Sequence, residues 1–183
     1  MRHAAASSVA PICLHIGAPY VLSAHSPGPP QRRSVFLIRV LRGKAREAAE
    51  VVGAVERAHV QALRSALGSA AVARPTFNFA GVTKDQRQFL KTAVAFEDLA
   101  VGAYKAQAPR IRSKPIFAVA VSIHSVEARH AAWMRRLFGI VPAASAFDEP
   151  VSKPKATRIV VASTGFITSS GKTEREAEPR FTG

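Results

Sequence analysis

Two Glu-x-x-His pairs, each set on the apolar stripe of a helical pattern, constrain this chain more than any other feature. Ile116, Ala120, Ile123, Glu127, His130, Met134 and Leu137 recur in alternating steps of four and three. That spacing is the seam of a helix packed in a bundle. Val52, Glu56, His59, Leu63 and Ala66 repeat the pattern upstream, and Leu90, Ala93, Glu97, Ala100 and Tyr104 form a third stripe between them. Charge on a buried seam is costly unless it is paired or holds a cation. Three seams that each carry a Glu therefore need a shared explanation.

Residues three apart on a helix share a face. Glu56 and His59 can point at one spot, and so can Glu127 and His130. Two Glu-x-x-His helices plus one inward Glu from each of two further helices make a dinuclear metal site in a four-helix bundle. This chain shows three of the four parts. Mixed carboxylate and imidazole ligands suit iron, manganese or zinc rather than magnesium or calcium. In that scheme Glu56 and Glu127 bridge, His59 and His130 each fix one metal, and Glu97 is a terminal ligand. Ala93 and Ala100 beside Glu97 leave room for ions. The competing reading is a bundle with structural polar residues. One pair would not decide between them; two pairs on seams with a Glu between them favour the metal.

The punctuation supports helices. Residues 44–67 are Ala-rich and end at Gly68, a helix with a glycine stop. Thr83 and Gln86 are spaced as a capping box, opening a helix that runs to about residue 106, ahead of Pro109. Ser113 with Pro115 in the first turn opens the third helix, and Gly139 closes it. Phe77 and Phe79 belong to a connector expected to tuck against the bundle. Residues 159–161 and 166–167 are apolar and fit a closing helix better than a strand, because an all-α bundle offers no sheet to join. Asp98 points off the seam and reads as a solvated group or one beside the site able to orient a His, Tyr104 and Trp133 as packing, and His124 as off the seam.

The formal charge of +14 is unevenly spread. Residues 1–46 hold seven Arg/Lys and no acid, while residues 167–183 are balanced. The excess is densest where the sequence looks least folded, which argues against nucleic acid as a main partner. The single Cys13 excludes an internal disulfide framework. Arg2 and the apolar residues 4–24 imitate a signal peptide, but Pro11, His15 and Pro19 interrupt the core. Cytoplasm therefore stands ahead of export, and no run is long enough for a spanning helix.

Glu56-Arg-Ala-His59, Phe77-Asn-Phe79, Phe96-Glu97-Asp98 through Tyr104, Val126-Glu127-Ala-Arg-His130 and Ala146-Phe147-Asp148 occur in an order and spacing that resembles the ferritin-like desiccation-related proteins. The resemblance covers residues 47–167. It implies a ferritin-like up-down helix bundle of the di-iron carboxylate superfamily, with Glu56, His59, Glu97, Glu127 and His130 at the metal positions and iron, or manganese or another divalent metal, as cofactor. It implies no settled reaction.

The resemblance breaks at the front. The family's first helix should carry another Glu near residues 20–27, yet no Asp or Glu precedes Glu47. His25 is the only candidate ligand there, among prolines. Either the start of the coding sequence is altered or the first helix has been lost. The resulting expectation is an incomplete bundle of three clear helices: residues 1–43 an irregular basic segment, 44–167 the helical domain, 168–183 a flexible tail. One metal would lack a ligand, and an open seam would favour a homodimer. The alternative function is a metal-free structural or stress-protective bundle without turnover.

Overall fold

A computed structural model describes residues 40–71, 76–77, 79, 81–163 and 166–169. The N-terminal segment with His25, and the tail from residue 170, lie outside the described residues. The architecture is all-α. Helix α1 spans Gly43–Leu67, α2 Gln86–Gln107 and α3 Lys114–Phe138; a short α4, Lys153–Thr157, runs into a π-turn at Arg158–Ser163. No described helix is long and apolar enough to cross a membrane.

The helix ends follow local chemistry. Gly68 stops α1 at φ 54°, and Gly139 stops α3 in the left-handed region at φ 90°, its N–H donating to the carbonyls of Arg135 and Arg136. A glycine takes such a φ without steric cost. At α2 the expected Thr83–Gln86 capping box is replaced. Asp85 is the cap, its carboxylate accepting from the Gln88 N–H at 2.8 Å. Gln86 instead accepts from the Arg42 N–H at 2.8 Å, tying the approach to α1 to the start of α2. The helix therefore begins two residues later than the spacing suggests. An Asp satisfies the orphan amides as well as a Thr, and Gln86 finds a better partner across the fold.

Helices α2 and α3 form the most extensive pair, and α1 packs on α3. Two apolar clusters fix the directions. At one end Ala45, Ala48 and Val52 of α1 meet Leu90, Ala93 and Val94 of α2 and Met134 of α3. At the other, Leu63, Tyr104, Ala120 and Ile123 close together. Thus α1 and α2 run parallel and α3 runs against both. Tyr104 packs, and half-buried Trp133 lies against the first cluster. The expected seams are buried, except that His59, Ile116 and Leu137 are half-buried and Ala66 is exposed, with Leu67 buried instead. Over five positions a 3.6-residue turn drifts away from a strict 3.5 repeat. Nor is the seam left open to solvent: Val52, Glu56, Ala93, Glu97 and Ala100 are all 3 % exposed or less.

The C-terminal part braces α2. Ala156 and Val160 pack on Phe96, Leu99, Ala100 and Ala103, and the Val151 N–H donates to the Gly102 carbonyl at 2.8 Å. Residues 159–161 are helical as expected, but Ile167 is not. Ile167–Ser169 pairs antiparallel with Thr76–Phe77. The connector supplies the strand partner that helix periodicity could not reveal. Phe79 is buried, with its ring centroid 4.9 Å from that of Phe166.

Candidate metal centre

The middle of the bundle, between the two apolar clusters, is where all three seams deliver their polar residues. Glu56 and His59 come from adjacent turns of α1, Glu97 from α2, and Glu127 and His130 from adjacent turns of α3. Glu56, Glu97, Glu127 and His130 are each at most 5 % exposed, and the His59 side chain is 12 % exposed. Glu56, Glu97, Glu127 and His130 each offer one ligand atom, all within 4.8 Å of one another. An ion with bonds of about 2.1 Å needs its ligand atoms within about 4.2 Å. Small side-chain movements therefore close this set on a cation.

The two α1/α3 carboxylates face both imidazoles. Glu56 Oε1 lies 3.4 Å from His59 Nδ1 and 3.2 Å from His130 Nδ1. Glu127 places Oε1 3.1 Å from His59 Nδ1 and Oε2 3.5 Å from His130 Nδ1. Glu97 reaches only His130, at 3.6 Å. The imidazole centroids are 6.1 Å apart.

Three of these buried atoms have no hydrogen-bond partner: Glu56 Oε1, Glu97 Oε2 and His130 Nδ1. Their short contacts to one another lack hydrogen-bond alignment. Orphaned buried polar atoms are rare and costly, and a cation would satisfy all three at once. The donor set thus fits a carboxylate–imidazole metal.

Electrostatics couples the five groups. Burial pulls the His59 imidazole down, but the hydrogen bond with Glu127, the close contact with Glu56 and the charges of both outweigh it and raise its pKa to about 9. His130 is likewise opposed by burial and raised to about 11 by Glu127, Glu56 and Glu97. Burial lifts the Glu97 carboxyl above its usual range, despite His130, and the charges of Glu127 and Glu56 add to the lift. Burial acts the same way on Glu127, but His130 and His59 reverse it and hold that carboxyl below its usual range. Protons can therefore balance the cluster by themselves, and a metal must displace them from the imidazoles.

Of the neighbouring residues, Asp98 does not orient a His. It accepts from Arg135 Nη1 at 2.7 Å, because one step along α2 from Glu97 turns its side chain off the seam. His124 is half-buried with Nε2 unpartnered and is not part of the cluster. The residue that sequence reading passed over is Gly102. A Cβ there would meet Val151 Cγ2 at 2.6 Å and the Glu149 carbonyl at 2.9 Å, so the bracing segment sits on α2 only because this residue has no side chain. A glycine inside an otherwise good helical pattern was the available signal.

A family model described as Ferritin-like domain matches residues 31–139, more than half of the chain. The span includes α1, α2, α3 and all five clustered residues. No curated protein matches the sequence.

Proposed function

This chain belongs to the ferritin-like domain family, and we propose that its function is to bind iron, or another divalent transition metal, in a carboxylate-bridged site of the di-iron type. The observation that carries the reading is the buried group of three carboxylates and two imidazoles with three unpartnered atoms among them. Glu56 and Glu127 would bridge, His59 and His130 would each bind one position, and Glu97 would be terminal. Iron, when bound, supplies one-electron redox chemistry toward oxygen or peroxide. The chain's own contribution is to exclude bulk water with the apolar clusters on either side, to hold the carboxylates in register across three helices, and to release the imidazole protons that an ion displaces. The metal function is placed in residues 44–167, with residues 1–43 and 168–183 as flanking segments. The motif resemblance supports a role in desiccation or related stress. The reaction is left unassigned.

A second reading has its own observation. The His59–Glu127 hydrogen bond, at 3.1 Å, and the raised imidazoles mean that the cluster can be neutralised by protons, which a metal-free protective bundle would exploit. Anaerobic ferrous reconstitution followed by gel filtration and elemental analysis separates the two. Iron retained by the wild type and lost in Glu127→Ala supports the metal reading. A folded wild type that retains no iron, manganese or zinc supports the scaffold.

A further inference from the structure

The two imidazole ends of the cluster are not equivalent. Of the cluster's three unpartnered buried atoms, Glu97 Oε2 and His130 Nδ1 lie at the His130 end, and Glu56 Oε1 lies between the imidazoles, 3.2 Å from His130 Nδ1 and 3.4 Å from His59 Nδ1. The four residues whose ligand atoms converge within 4.8 Å include His130 and leave out His59. His59 Nδ1 is already satisfied by a hydrogen bond with Glu127 Oε1 at 3.1 Å. Glu97 approaches His130 and not His59. Among the described residues no further carboxylate is part of the cluster, and residues 1–46 contain no Asp or Glu to provide one.

From this geometry, and resting on the metal-binding reading above, we infer that the two ion positions are unequal. Glu56, Glu97, Glu127 and His130 hold one divalent ion tightly. The position beside His59 takes a second ion weakly, and in the singly loaded protein His59 acts mainly as a positioning residue that holds Glu127.

Charge balance leads to the same conclusion. Four carboxylates neutralise two dications in the complete four-helix recipe. Here three carboxylates face them. One dication is more than matched by the three carboxylates. A second dication leaves an unmatched positive charge in a buried site, where it is strongly disfavoured. It must also displace the His59–Glu127 hydrogen bond. The first ion, by contrast, relieves three orphaned atoms at once.

The test is an anaerobic Mn²⁺ titration of the full chain, read by equilibrium dialysis and by electron paramagnetic resonance. The expected result is one tight equivalent with the hyperfine pattern of an isolated ion, and a second equivalent at least about tenfold weaker. His59→Ala should keep the tight equivalent, with an affinity loss of about tenfold through the freed Glu127. His130→Ala should lose it. Should that variant fail to fold, the near-isosteric Glu97→Gln serves, and its tight equivalent should also weaken more than that of His59→Ala. Two equal equivalents with a spin-coupled spectrum, or equal losses at the two histidines, would overturn the inequality while leaving the metal reading intact. A folded wild type that binds no Mn²⁺, Fe²⁺ or Zn²⁺ would overturn both.

Discussion

Replacing Glu97 by Gln should make the metal-free protein more stable while weakening its metal binding. Glu97 is 2 % exposed, Oε2 has no hydrogen-bond partner, and Glu56 and Glu127 are its neighbours in the cluster. Burial is the largest force on its carboxyl and lifts the pKa above its usual range; the neighbouring negative charges add to it. A carboxyl raised in this way favours folding only below the unfolded value of 4.5. Its cost grows as pH rises above that value and is complete above the raised pKa. A Gln at the same position keeps the shape and carries no charge. Replacing poorly compensated buried charge with a neutral group commonly gains about 1–4 kcal/mol. Against this stands the His130 contact, at 3.6 Å without hydrogen-bond alignment, so the gain belongs in the lower half of that range, about 1–2 kcal/mol. For a chain of this size that is roughly 2–8 °C in Tm. Thermal unfolding followed by circular dichroism, in chelator at pH 5 and pH 8, reads it: the gain should be larger at pH 8. In excess Mn²⁺ the order should reverse, because the wild type gains about 2.7 kcal/mol at a hundredfold excess over Kd and the weaker-binding variant gains less. A variant less stable than the wild type in chelator at both pH values would refute the reasoning and make Glu97 a structural hydrogen-bonding residue.

Further outcomes follow from other parts of the molecule. His59 and His130 are raised to about 9 and 11, so the stability they add is complete below pH 6.5 and is lost as pH rises through these values. Tm in chelator should fall between pH 7 and 9.5, and a flat profile would contradict the ion-paired cluster. Gly102→Ala gains about 1 kcal/mol of helix propensity, but the overlap with the Glu149 carbonyl and Val151 costs about 1–3 kcal/mol. A net loss of about 1 kcal/mol by urea unfolding is expected, and a net gain would show that the bracing segment gives way. Asp98→Asn removes a half-exposed pair with Arg135, at a cost of about 1 kcal/mol or less. Metal stoichiometry should not change, which separates this residue from Glu97 beside it.

What the sequence determined by itself is what depends on neighbours within a few residues. The α1 stop at Gly68 and the α3 limits at Ser113–Pro115 and Gly139 are backbone preferences of single residues, and they hold in the structure. The seam positions of Glu56, Glu97, Glu127 and His130 follow from the angle between successive residues on a helix, so their burial was legible before any coordinates. Tertiary structure decided whatever depends on which surfaces meet. The Asp85 cap displaced the Thr83 spacing because Gln86 finds Arg42, 44 residues away in the chain. Ile167 became a strand because Thr76–Phe77 lies beside it. Asp98 went to Arg135, and Gly102 became the contact point of a distant segment. Above all, the seams place two histidines on equal terms. Only the packing of three helices gives Glu97 to one of them and leaves the other bonded to Glu127, because a helical period fixes the direction of a side chain but not the distance to its partner.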